Sequence, residues 1–149
     1  MPRGDGGLRE REQAIYEVER YLEEEPSDVQ FQIFRVQLYE ETNQPSEKMI
    51  KAYSAILPYQ PRNWVLFNNL AWHLCLSGED LQQAEQLSRA TIMAEPSNSV
   101  FLDTYAWIMY QLGDYTSAFF YIQRALENAT PETREEVTAH YKAILKKLQ

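Results

Sequence analysis

The stretch NNLAWHLCLSGEDLQQAEQLSRATIMAEPSN, residues 68–98, reads nearly column for column against DTYAWIMYQLGDYTSAFFYIQRALENATPE, residues 103–132. Each is a run of helical period, a glycine, a second helical run and a proline. Leu66, Leu70 and Leu74, then Leu81, Ala84, Leu87 and Thr91, recur at three- and four-residue steps, which places each set on one helical face. Neither run alternates as a strand would. Gly78 and Gly113 stand where a first helix has to stop, because glycine takes the left-handed conformation at little cost, and Asp80 and Asp114 follow as N-caps. The turn between the two helices is short, so they run antiparallel.

Outside this pair the same register continues. Pro26, Pro61, Pro96 and Pro131 lie 35 residues apart, and Val36, Ala71 and Ala106 keep that step. So do Gln37, Trp72 and Trp107, and again Asn43, Gly78 and Gly113. Each proline precedes Asp28, Asn63, Asn98 or Thr133, any of which can cap the next helix, and Thr133 with Glu136 has the spacing of a capping box. The pattern predicts eight helices, at about residues 8–24, 28–42, 46–59, 63–77, 80–94, 98–112, 114–129 and 132–147. Residues 1–7, with three glycines, are expected to form a disordered leader. Residues 8–149 are expected to form a single domain: a half-repeat 8–28, repeats 29–63, 64–98 and 99–132, and a C-terminal capping helix 133–149.

A 35-residue helix-turn-helix unit with small residues at the helix crossing and a closing proline resembles the tetratricopeptide repeat, whose usual period is 34. The small eighth position of that repeat falls on Val36, Ala71 and Ala106, and the bulky eleventh on Tyr39, Leu74 and Met109. The small twentieth falls on Met49, Ala84 and Ala118. The aromatic fourth position is replaced by Gln32, Phe67 and Leu102, and Val36 with Met49 makes the first full repeat divergent. FNNLAW with LDTYAW and LGDY is also similar to repeat pairs of bacterial proteins, many of them envelope-associated. The resemblance implies an all-α fold, a right-handed alpha-alpha superhelix or solenoid, with first helices lining a concave groove.

In that groove the resemblance places Phe34 and Gln37, then Asn68, Asn69 and Trp72, then Asp103, Trp107 and Tyr110. Asn68 with Trp72 and Asp103 with Trp107 are i,i+4 pairs, so each polar head lies one turn from an indole. An extended peptide presents unsatisfied amides and apolar side chains, and asparagines beside tryptophans answer both. The competing reading is that both tryptophans pack between neighbouring first helices, and that Asp103 caps or pairs locally. Some members of the family bind charged C-terminal tails through basic groove residues. Here Arg89 and Arg124 are the only basic residues between Asn63 and Pro131, and both fall on second helices, so a neutral, apolar or basic ligand segment fits better.

Composition narrows the classes. The chain has 149 residues, one cysteine, two histidines, 14 basic and 22 acidic side chains. Its charge of −8 divides evenly: 8 basic and 12 acidic residues precede Asn63, and 6 and 10 follow it. Nucleic acid is therefore a poor partner, which counts against a pentatricopeptide-type RNA-binding array despite its 35-residue period. One thiol rules out a disulfide or Cys-rich zinc scaffold, and two histidines make no metal centre without carboxylate help. No metal or cofactor is expected. No run reaches the roughly 20 apolar residues of a membrane span. His73 and Cys75, two apart, point to different helical faces, and Cys75 reads as a buried packing residue, so no nucleophile pair is expected.

The expected function is a non-enzymatic scaffold that holds a peptide or partner helix. The alternative is an assembly module of a larger bacterial complex, self-associating through terminal helices whose apolar stripes are Ile15, Val18 and Leu22, and Val137, Tyr141, Ile144 and Leu148. A cytoplasmic location is expected if the chain is whole, and a periplasmic or envelope one if it was cut from a longer precursor.

Overall fold

The computed structural model describes residues 4–149, with side chains from residue 7 onward, and among these residues it contains helices and no strand. The helices are α1 (Gly4–Glu24), α2 (Val29–Glu41), α3 (Ser46–Ile56), α4 (Trp64–Ser77), α5 (Leu81–Ala94), α6 (Ser99–Gln111), α7 (Tyr115–Glu127) and α8 (Arg134–Leu148). A short 3₁₀ turn, Leu57–Tyr59, follows α3. The bounds match the periodicity within two or three residues except at the start of α1. There the expected leader 1–7 is helical from Gly4 on, while residues 1–3 lie outside the described part. A helix already nucleated at Leu8 extends into glycine at a cost of about 1 kcal/mol per residue, so glycines alone do not forbid that turn.

The 35-residue columns explain the element ends. Asp28, Asn63 and Asn98 each accept a hydrogen bond from the backbone N–H three residues on, at 3.3, 3.0 and 3.1 Å. Asp80 and Asp114 do the same for α5 and α7, at 3.0 and 3.1 Å. Gly78 and Gly113 adopt φ of +71° and +85°, and Asn43, in the same column, takes +52°. Asparagine tolerates this region better than other non-glycine residues, because its short polar side chain bonds locally. Thr133 departs from the expected capping box. It makes no side-chain cap; its hydroxyl turns back and accepts the Thr130 N–H at 2.9 Å. Helix α8 keeps its dipole complemented, with Glu135 and Glu136 in the first turn and Lys146 and Lys147 in the last.

The chain divides into two compact units, one ending at Arg62 and one running from Asn63 to Gln149. In the first, α2 packs against both α1 and α3. Its core takes Ile15, Val18 and Leu22 from α1, Val36, Leu38 and Tyr39 from α2, and Met49, Ala52, Tyr53 and Ile56 from α3. The Tyr39 hydroxyl donates to Glu19 of α1. In the second unit consecutive helices pack from α4 to α8, α4 also meets α6, and α6 also meets α8. Leu102, Ala106 and Met109 of α6, Ala118, Ile122 and Ala125 of α7, and Val137 and Ile144 of α8 form one buried cluster. Tyr105 of α6 donates to Glu85 of α5 at 2.7 Å. The Arg89 guanidinium hydrogen-bonded to Glu85, followed by that Tyr105 bond, holds the Glu85 carboxyl below its ordinary range against the opposing effect of burial.

These packings use the stripes expected to be unpartnered. Ile15, Val18 and Leu22 are buried inside the first unit, and Val137 and Ile144 inside the second, with Leu148 alone well exposed. Cys75 is buried as expected, and loss of hydration pushes its thiol up to about 12. No described helix is long and apolar enough to cross a membrane.

Candidate functional site

The second unit gathers four of the expected groove residues at one place. Asn68, Asn69 and Trp72 come from α4 and Asp103 from α6; with Val100, Thr104 and Glu136 of α8 they line a pocket of about 150 Å³. The spacing explains the convergence. Positions 68, 69 and 72 share a face of α4, positions 100, 103 and 104 share a face of α6, and these two first helices are in contact. None of the seven lining residues is basic.

Two polar side chains of the pocket wall are buried. Asn68 is 5% exposed and Asp103 7%. Among the described residues Asn68 Oδ1 is buried without a hydrogen-bond partner, a condition that costs roughly 1–3 kcal/mol unless something satisfies it. Asp103 does have a partner, and not a local one: its Oδ1 lies 2.7 Å from Nδ1 of His140 on α8. Asp103 thus holds α8 to α6 rather than capping its own helix.

Both expected tryptophans lie against that histidine. Trp107 stacks on the His140 ring with centroids 4.3 Å apart and planes 25° apart. Its other neighbour is Tyr110, stacked at 4.4 Å and 19°. Trp72 lies 5.9 Å from the imidazole. Trp107 and Tyr110 also pack against the buried α6–α8 cluster, so for Trp107 the core-packing reading holds in part. Trp72 and Trp107 are both only partly buried. The other two expected residues, Phe34 and Gln37, lie on α2 of the first unit, where both side chains are exposed.

His140 and Glu136 were not among the expected site residues. The repeat register assigns α8 a capping role, and its lysines draw attention to the outward face. The available signal was the i,i+4 spacing of Glu136 and His140, which sets a carboxylate and an imidazole on one side of the helix.

No protein-family model matches this sequence, and no curated protein matches it. Solved structures do resemble it. One crystal structure of MamA, a protein with tetratricopeptide repeats, aligns over 99% of this chain and 95% of its own, with TM-score 0.68 and 14% identity. A second MamA structure aligns over 95% and 84%, with TM-score 0.69 and 13% identity. The 41-end segment of MamA from Desulfovibrio magneticus RS-1 aligns over 93% and 87%, with TM-score 0.66 and 12% identity. At such identities the likeness is one of fold: the chain has the tetratricopeptide-type arrangement of antiparallel helix pairs that its 35-residue register predicts.

Proposed function

We propose that the protein is a non-enzymatic interaction module whose second unit binds an extended peptide or partner helix at the α4–α6–α8 pocket. The observation that carries this reading is the convergence of Asn68, Asn69, Trp72 and Asp103 on one cavity, from two helices a full repeat apart. A peptide needs partners for its amides and shelter for its apolar side chains. The Asn68 carboxamide offers an acceptor with no partner in the described structure, and Trp72 beside Val100 offers partly exposed apolar surface. A segment bearing carboxylates would meet Asp103 and Glu136, so a neutral, apolar or basic segment suits the pocket. By register, Phe34 and Gln37 of the first unit correspond to Asn69 and Trp72, and we propose them as that unit's own exposed contact positions.

The non-enzymatic part of this reading is supported by the state of the one thiol. Cys75 is buried, and its thiol is held protonated far above neutrality, so it supplies no thiolate. RNA remains disfavoured by the net charge of −8 and by a pocket without a basic lining residue.

The test is capture of partners from a lysate of the source organism by the wild-type chain and by an Asn68→Ala/Trp72→Ala variant, with an Asp80→Ala variant as a control altered only at a helix cap. Partners retained by the wild type and the control but not by the double variant support the site. Identical capture by all three places binding elsewhere.

A further inference from the structure

The Asp103–His140 contact closes only part of a larger donor cluster. Asp103, Glu136 and His140 each present one ligand-type atom, and the three atoms lie within 4.8 Å of one another. The unpaired Oδ1 of Asn68 belongs to a residue of the same pocket wall as Asp103 and Glu136. We propose that these residues form a binding site for a divalent first-row metal ion of the zinc or manganese type, with Asp103, Glu136 and His140 as ligands and Asn68 as the source of a further oxygen.

Several features favour an ion over a simple hydrogen-bonded pair. Metal–oxygen and metal–nitrogen bonds near 2.0–2.2 Å bring ligand atoms to about 3–3.5 Å of each other. The present spread is therefore closed by a rotation of Glu136, whose side chain is exposed, and by a few tenths of an ångström of opening between Asp103 and His140. Glu136 and His140 come from one face of α8, so a single rigid helix positions two of the three ligands. Trp107, stacked on the imidazole, fixes its plane before any ion arrives. The donor set is one nitrogen and carboxylate oxygens with no thiolate, which suits zinc or manganese and disfavours softer ions such as Cu(I). No lysine or arginine lines the pocket to occupy its place. The inference does not rest on the pocket binding a partner, because the ligands all belong to this chain. It does bear on that binding: an ion neutralises both carboxylates and so weakens the exclusion of acidic segments.

The experiment is titration of the chelator-treated, full 149-residue chain with zinc chloride, and separately with manganese chloride, by calorimetry and by tryptophan emission. One zinc per chain is expected, bound more tightly than manganese, with a change in indole emission and a rise in Tm on saturation. His140→Ala should remove the binding. Glu136→Gln, an exposed and conservative change that leaves the Asp103–His140 contact in place, should weaken it by about tenfold or more. His73→Ala, at the chain's other histidine, should leave it unchanged. Saturable zinc uptake that is absent from the wild type, or equal in the wild type and Glu136→Gln, or lost in His73→Ala, overturns the proposal.

Discussion

The two units share one register and fill it differently. At the crossing of their helix pairs the first unit has Val36 and Met49, where the second has Ala71 with Ala84 and Ala106 with Ala118, and all six are buried. Paired alanines let helix axes approach closely, whereas valine and methionine hold them further apart. The turn column reads Asn43 in the first unit and glycine in the second, and the fourth-position column reads Gln32 against Phe67 and Leu102. Gln32 is buried, with its amide donating to the Pro26 carbonyl and its own oxygen unpartnered. The helix-turn-helix pattern is thus kept across these substitutions at the crossing, turn and fourth-position columns. The polar and aromatic cluster arises in the second unit, where two consecutive repeats follow the pattern closely enough to stack equivalent positions of α4 and α6.

Exchanging the residues that fill the two crossings should have the largest effect. Met49→Ala should leave a cavity in the first unit and cost about 2–5 kcal/mol, while Ala118→Met should overpack the second and cost about 1–3 kcal/mol, both read from urea unfolding. If Ala118→Met is neutral, the close approach of α6 and α7 does not depend on small residues. A smaller effect belongs to the turns. Gly113→Ala has open space for the new methyl but retains a φ of +85°, so the expected loss of about 1–2 kcal/mol is purely conformational. Asn43→Gly should change stability by no more than about 0.5 kcal/mol, since glycine accepts the same angle. The caps come next: Asn98→Ala should cost about 1 kcal/mol, and Thr133→Ala less, because Thr133 caps nothing in α8.

The alkaline limb of stability probes both units at once. Tyr39 and Tyr105 are raised above the usual tyrosine range, first by burial and then by their hydrogen bonds to Glu19 and Glu85. Each keeps its proton in the folded chain at a pH where the unfolded chain has lost it. Their contribution is complete below about pH 10 and declines as pH rises beyond it, with Cys75 adding to the decline from about pH 9 upward. Melting temperatures measured from pH 8 to pH 11 should fall, and Tyr39→Phe or Tyr105→Phe should flatten the slope. The smallest effect is chemical: Cys75 in the native chain should react with a thiol reagent at pH 8 far more slowly than in urea.

Much of this architecture is legible in the sequence. Four prolines, the small-residue columns and the Asp28–Asn63–Asn98 caps specify the helix count, the antiparallel pairing and nearly every boundary, because each acts through local backbone chemistry. Part of the candidate site is legible as well, since Asn68, Trp72 and Asp103, which line one pocket, fall on faces that helical periodicity alone defines. The link from Asp103 to His140 is not, because it depends on how α8 rotates as it buries Val137 and Ile144. Nor does sequence show that Thr133 abandons its cap, a choice made by the turn preceding α8. The terminal stripes show the limit of reading helices singly: Ile15, Val18 and Leu22 look unpartnered until their own unit is assembled around them.

The central question is whether the pocket in the second unit serves binding rather than folding. Partner capture and thermal melting, measured together on Asn68→Ala/Trp72→Ala, decide this. A binding pocket predicts a helical spectrum like that of the wild type, a Tm within a few degrees of it, and loss of capture. A collapse of the melting transition, or capture that persists undiminished, would contradict it.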